Sequence, residues 1–276
     1  MGKNGGKLMQ SFLQKYSLNF YQECAEYLKT HSLKETSERY NIKYATLKQN
    51  LIKYGFRKPN RKINKIRINY NDHYFDNIDT ECKAYFLGFL FADGCVCKTA
   101  YKYQMQLCVQ SQDDYILYIL KNEMKISTKI YKYKNSSKLN ITCTDHLKDV
   151  LFNLGLKEDK SHKNLNIPNN IPNHLIGHFI RGVFDGDGCI TIKRTGFSVT
   201  SICSNSINFL EDIKRYLNYN NIENIHIRPE KGKRKNILYI LYISRTENQN
   251  QFTNYIHNCS NVYLKRKFDK FKLIPC

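Results

Sequence analysis

The sequence predicts an α+β fold made of two copies of an αββαββα unit, preceded by a small all-α region. Three observations lead there. Asp187 stands 94 residues after Asp93 at the same point of a repeated segment, each aspartate is followed by the same alternation of strand pairs and amphipathic helices, and purely helical periodicity is confined to residues 1–56. A chain of 276 residues accommodates two ordinary domains, or one duplicated domain with an appendage.

The repeat carries most of this reading. With Asp93 set on Asp187, Tyr85, Gly88, Phe89, Ala92 and Gly94 fall on Phe179, Gly182, Val183, Gly186 and Gly188. The spacing i, i+3, i+4, i+7 puts one apolar-and-small stripe on a helix in each copy. After each glycine the pattern predicts a Cys- and Val/Ile-bearing strand, then a second strand over 104–110 and 196–203. An amphipathic helix follows over 113–124 and 205–217, then strand pairs over 128–133 with 138–143 and 225–228 with 237–244. A last helix closes each unit over 145–154 and 247–258. The predicted division is residues 1–56, a linker over 57–78, a first half-domain over 79–165 and a second over 166–276.

In the first zone Phe20, Cys24, Tyr27 and Leu28 recur at helical spacing, and Ser32 with Glu35 form an S-x-x-E capping box ahead of a second helix. A third helix turns Leu47, Leu51 and Ile52 inward and stops at Gly55. Its outer side carries Lys43, Thr46, Lys48, Gln49, Asn50 and Lys53. Short helix, tight turn and polar-faced helix resemble a helix-turn-helix, with Lys48 facing DNA; the other reading is a three-helix cap. The linker is basic, with Arg57, Arg61 and Lys62 among its cations, and either tracks a phosphate backbone or simply connects.

Charge narrows the partner. Lys and Arg number 44 against 24 Asp and Glu, a net charge of +20 spread along the whole chain, which is the footprint of a nucleic-acid binder. The ten cysteines offer no C-x-x-C pair and no Cys/His spacing for zinc, and most are expected to be buried in apolar runs. The run from Ala84 to Ala92 is too short to span a bilayer, and the start shows no signal peptide. The expectation is a soluble intracellular monomer with no membrane partner, in a bacterial or phage-infected cytoplasm or an organelle.

The segments Phe86-Leu-Gly-Phe-Leu-Phe-Ala-Asp-Gly94 and Ile180-Arg-Gly-Val-Phe-Asp-Gly-Asp-Gly188 resemble the paired signature of the LAGLIDADG homing endonucleases. The resemblance runs from Asp79 onward and is to the single-chain, two-motif members, whose halves form a pseudo-two-fold saddle over DNA. The motif also has a physical reading. Small residues every four positions let two helix backbones approach closely. Each helix ends on an aspartate, with Gly94 and Gly188 expected in the left-handed conformation that stops a helix. Two carboxylates at ~4 Å repel by about 1 kcal/mol in water and more in a dry site, and divalent cations relieve this. Oxygen-only ligands suit Mg²⁺, in two or three ions. The metal set is Asp93, Asp187, Ala92 and Gly186. Asp185 pairs with Phe91 in the repeat and is expected at the surface or in a hydrogen bond.

The resemblance implies further roles. Gln110 fits the polar residue the family places on the second strand, with Cys203 or a neighbour as its counterpart. Lys160, and Lys265 or Lys267, fit the cations beside the cleaved phosphates, as catalytic groups or as plain phosphate contacts. Lys102, Gln104, Gln106, Lys193, Arg194 and Ser198 occupy exposed alternating positions that reach base edges or stay solvated, and Lys233 and Arg234 add cations from a loop. The implied activity is metal-dependent hydrolysis of both strands of a long double-stranded DNA site. An RNA maturase acting on intron RNA and a non-cleaving DNA-binding regulator are the alternatives.

Overall fold

The computed structural model describes residues 17–56, 69–99, 102–156, 158, 164–230 and 237–274. The chain divides into two units, Met1–Lys65 and Ile66–Cys276.

The first unit contains α1 (Leu18–Tyr27), α2 (Leu33–Arg39) and α3 (Tyr44–Lys53). The capping box is formed: the Ser32 amide donates to Glu35 Oε2 at 2.6 Å and the Glu35 amide to Ser32 Oγ at 3.2 Å. Tyr21, Cys24, Leu33, Leu47 and Leu51 make the core. Ile52, expected inside, is only half-buried, whereas Tyr21 is fully buried, its phenol oxygen accepting from Asn50 Nδ2 at 2.6 Å.

The second unit opens on a segment that the sequence assigns to the linker. Residues 69–78 pack on the half-domain instead: Tyr70, Tyr74, Phe75 and Ile78 are buried, and the Tyr70 hydroxyl donates to the Thr142 carbonyl at 2.8 Å. The apolar residues of this stretch are interleaved among polar ones, which hides their common inward face.

Then come α4 (Glu81–Ala92), β1 (Gly94–Lys98), β2 (Tyr103–Gln110), α5 (Tyr115–Glu123), β3 (Tyr131–Lys132), β4 (Ser136–Thr142) and α6 (Asp145–Asn153). The second copy repeats the order with α7 (Ile176–Asp187), β5 (Gly188–Ile192), β6 (Ser198–Ser204), α8 (Ile207–Tyr219), β7 (Ile225–Glu230), β8 (Leu238–Ile243) and α9 (Thr246–His257). A short α10 (Lys265–Phe271) follows, which no expectation anticipated.

Each copy builds one antiparallel four-stranded sheet, in the orders β1-β2-β4-β3 and β5-β6-β8-β7. Period-two alternation turns Met105, Leu107 and Val109 of β2 into the core and leaves Gln104, Gln106, Cys108 and Gln110 on the open face. The buried faces pack on amphipathic helices that contribute Ile116, Leu120, Leu147, Phe209, Leu217 and Phe252 to one continuous core. Each such side chain contributes roughly 1.5–3 kcal/mol on burial.

α4 and α7 are the spine. All positions from Ala84 to Phe91 are buried, so α4 is enclosed on every side rather than amphipathic. A Cβ on Gly88 would overlap the Phe179 carbonyl, and one on Gly182 would overlap the Tyr85 carbonyl. The glycines thus allow the two backbones to touch.

No helix among the described residues is long and apolar enough to cross a membrane.

Candidate active site between the two motif helices

The two motif helices end side by side. Gly186 lies against Ala92, where an added methyl would collide with the Ala92 Cβ and come 3.4 Å from the Asp93 amide nitrogen. Asp93 caps α4 and is exposed, while Asp187 is the last residue of α7 and half-buried. Each aspartate sits where a helix presents unpaired carbonyls and the negative end of its dipole.

Gly94 and Gly188 do not take the left-handed conformation expected of them. Gly188 is extended at φ −86° and ψ 156°, and neither glycine is among those with positive φ. Their need is steric. The chain passes directly from helix into strand, so a Cβ on Gly94 would lie 2.6 Å from the Leu90 Cα, and one on Gly188 would strike the Phe184 ring.

Lys267 departs from its expected role as a phosphate-facing cation. Its ammonium is buried and donates to the carbonyls of Phe184 at 2.7 Å, Gly188 at 2.6 Å and, more weakly, Gly186 at 3.4 Å. It therefore closes the C-terminal turn of α7. Burial pushes it down to about 8, while Asp185 and then Asp93 and Asp187 act the other way. Both motif aspartates thus lie within the field of this one cation. Lys265 is exposed, with its ammonium 5.2 Å from the centre of the Tyr115 ring.

Of the two roles expected for Asp185 the structure has the hydrogen-bonding one: the residue is buried, and its Oδ2 accepts from the Tyr85 hydroxyl at 2.9 Å and the Leu264 amide at 2.7 Å. Burial raises its carboxyl to about 6. Beside it runs a second buried set that the sequence reading missed. Arg181 donates to Glu81 at 2.6 Å, to the Val262 carbonyl at 2.9 Å and to the Ile256 carbonyl at 2.5 Å. Glu81 also accepts from the Asn261 and Val262 amides. An arginine inside a stripe of small and apolar residues was the available signal, since a buried guanidinium demands acceptors.

One cleft holds Asp93, Gln110, Asp113, Gly186, Leu264 and Arg266 together. Gln110 is exposed at the end of β2, its side-chain oxygen accepting from Gln112 at 2.9 Å. Arg266 donates to Asp113 at 2.7 Å across the cleft, a pair that the sequence reading also missed.

Strand register narrows the counterpart of Gln110, expected at Cys203 or a neighbour. Gly94 pairs with Leu107 and Gly188 with Ile202, so three residues further along each strand Gln110 matches Asn205, not Cys203. The second half thus has its own amide at this position, just beyond β6. Cys203 instead donates its thiol to the Asp187 carbonyl at 3.2 Å.

The open faces of the sheets carry Gln104 and Gln106, which bond to each other at 3.2 Å, and Lys102 stands half-buried just before them. Lys193 and Arg194 are exposed at the tip of the β5–β6 hairpin, closed by Gly196 at φ +82°. Ser198 must be removed from this set. It is buried, and its Oγ accepts from Gln249 Nε2 at 3.0 Å, so the outward residues of β6 are Val199, Ser201 and Cys203. Lys48 is half-buried on α3. Arg57, Arg61, Lys62, Lys160, Lys233 and Arg234 lie outside the described residues. Among the described cysteines only Cys24 and Cys143 are buried, against expectation. Cys95, Cys97, Cys108, Cys189 and Cys203 sit on outward strand positions.

Comparison with known proteins matches both halves. Residues 82–164 fit a family described as the WhiA LAGLIDADG-like domain, and residues 175–257 fit the LAGLIDADG-like domain. The chain belongs to the LAGLIDADG family, with one such domain in each half. Similar solved structures include mesophilic variants of the homing endonuclease I-DmoI, at 19% identity and a TM-score of 0.47, over 66% of this chain and 97% of that one. The I-LtrWI LAGLIDADG homing endonuclease bound to target DNA aligns at 14% identity and 0.46, over 74% and 90%. Among curated proteins, 127 residues are 31% identical to a probable translation initiation factor IF-2 of Methanocaldococcus jannaschii, covering 42% of this chain. The aligned part is 10% of that protein's length, so the chain spans only a small part of the curated relative it matches.

Proposed function

We propose that this protein is a site-specific endonuclease that hydrolyses both strands of double-stranded DNA with divalent metal. The observation that carries the reading is the pair of motif aspartates. Asp93 and Asp187 end two helices in backbone contact, both lie in the field of Lys267, and Asp93 opens on the cleft with Gln110. A protein that only binds DNA gains nothing from gathering carboxylates at two negative helix ends.

The donor set suits Mg²⁺: Asp93 and Asp187 offer carboxylates, and the carbonyls of Ala92 and of Gly186, which Lys267 reaches only weakly at 3.4 Å, would add to them. Bound there, divalent ions would supply Lewis acidity toward the scissile phosphates. The chain's own residues do the rest. Lys267 locks the end of α7 and so fixes Asp187. Gln110 and Asn205, at matched positions of the two halves, orient water by their amides. The outward sheet residues and the hairpin cations Lys193 and Arg194 align the duplex, reading base edges and contacting phosphates. The N-terminal helices, with Lys48 among their polar residues, add a helix-turn-helix contact. Lys265 and the cations Lys160, Arg57, Arg61, Lys62, Lys233 and Arg234 contribute phosphate contacts, and the protein acts as a monomer.

The test uses a randomised duplex library with Mg²⁺. The wild-type protein enriches one cleaved sequence, while Asp93→Asn and Asp187→Asn bind that sequence without cutting it. Undiminished double-strand cleavage by either variant removes the assignment. A second reading, a non-cleaving DNA-binding regulator, draws on the WhiA-type match of residues 82–164. Salt-dependent binding with no cleavage by the wild-type protein, under any divalent ion, decides for it.

A further inference from the structure

Away from this site, two imidazoles and a carboxylate converge on the surface of the first half-domain. His73 and Asp76 come from the segment ahead of α4, and His146 from the first turn of α6. His73 Nδ1 lies 2.7 Å from Asp76 Oδ2, and His146 Nε2 lies 2.8 Å from Asp76 Oδ1. The ring centroids are 4.2 Å apart, and the three ligand atoms all fall within 4.8 Å of one another.

Both sides of the cluster are held by the fold. The His73 amide donates to Asn71 Oδ1 at 3.2 Å and the Asp76 amide to the His73 carbonyl at 3.2 Å, which folds the segment into a turn that returns Asp76 to His73. Tyr74 and Phe75, between them, are buried and anchor the turn. On the other side Thr144 caps α6 and donates to Asp72 Oδ2 at 3.1 Å. Tyr70 ties the two sides together, donating to the Thr142 carbonyl and accepting from the Thr144 amide. The three side chains therefore meet on a fixed frame.

We infer that His73, Asp76 and His146 form a binding site for one first-row transition-metal dication such as Zn²⁺, which fastens the segment ahead of α4 to α6. Two imidazoles, which are borderline ligands, together with one carboxylate suit Zn²⁺, Co²⁺, Ni²⁺ or Cu²⁺. The oxygen-only Asp93 and Asp187 pair suits a hard ion instead. The protein thus carries two metal centres that select by ligand chemistry. On binding, each imidazole presents a lone pair from the nitrogen that now faces Asp76: a neutral ring carries its single proton on the other nitrogen, and a protonated ring gives up one proton to solvent. Coordination shortens separations that already lie close to the span of a single ion's ligand shell, and water completes it at this surface position.

The experiment titrates chelator-stripped full-length protein with Co²⁺, read by visible absorption, and with Zn²⁺, read by calorimetry, in the presence of excess Mg²⁺. One equivalent binds with a nitrogen and oxygen ligand field. His146→Ala and His73→Ala each weaken it by about 100-fold or more, while Asp93→Asn and Asp187→Asn leave it unchanged. At saturating Zn²⁺ the wild-type melting temperature rises by roughly 5 °C and that of His146→Ala does not. Circular dichroism of the variants, with Asp76→Asn as a third, keeps loss of a ligand distinct from loss of the fold. Absence of binding, retained affinity in both folded histidine variants, or thiolate charge-transfer absorption from bound Co²⁺ overturns the assignment.

Discussion

Tyr85 of the first motif helix donates its phenol hydrogen to Asp185 of the second at 2.9 Å, across 100 residues of sequence. The same carboxylate oxygen also receives the Leu264 amide. Asp185→Ala leaves two buried donors without an acceptor and costs about 3 kcal/mol of stability. Asp185→Asn retains one oxygen for both donors and removes a buried charge, so its cost is roughly 1 kcal/mol or less. Urea unfolding of the two variants measures the difference. Equal losses mean that the charge, not the acceptor, matters.

The Gly182 contact with the Tyr85 carbonyl leaves no room for a methyl group. Gly182→Ala separates the motif helices and destabilises the protein by about 3 kcal/mol, as overpacked cores do. Because the same separation moves Asp93 away from Gly186, the proposed endonuclease activity falls more steeply than the folded fraction. Activity measured at a temperature where the variant remains folded checks this.

Glu81 is the acidic partner of a fully buried arginine. Glu81→Ala strands the Arg181 charge and costs about 3–5 kcal/mol. Replacing both together, as Glu81→Gln with Arg181→Met, recovers most of that loss. A double-mutant cycle in guanidinium gives the coupling.

His257 is pushed by burial from its ordinary 6.5 down to about 3. The unfolded chain therefore binds a proton that the folded chain refuses, and stability falls as pH drops from 6.5 toward 3. Above 6.5 both states are neutral and the group contributes no slope. His257→Gln lacks this component, so the stability gap between wild type and variant changes only within that window. A constant gap from pH 7 to 4 contradicts the assignment.

Much of this architecture is legible in the sequence because it repeats. The two Asp-Gly segments locate the spine helices, and the order of elements after each was correct because strand alternation and helical periodicity are local patterns. What the sequence hides is which way a residue faces once a strand's phase is ambiguous. Ser198 sits one step from Val199, and a single-residue shift moves a side chain from the open face of the sheet to the core. Gln110 and Asn205 escaped pairing for the same reason, since the halves differ by one residue in hairpin length. Lys267 looked like one of three adjacent cations, and only packing singles out the one that turns inward. The His73, Asp76 and His146 cluster joins residues distant in sequence and has no repeat to betray it.

The segment from Ile256 to Lys267 touches Arg181, Glu81, Asp185, Asp113 and the end of α7. Its bond to Glu81 closes a loop of 180 residues. Contacts of that span are entropically slow to form and repay nothing until both partners are in place. Neither half can therefore complete its core alone. The duplicated unit should then melt in one transition rather than two, and a single proteolytic cut between the halves should leave fragments that must find each other again to fold.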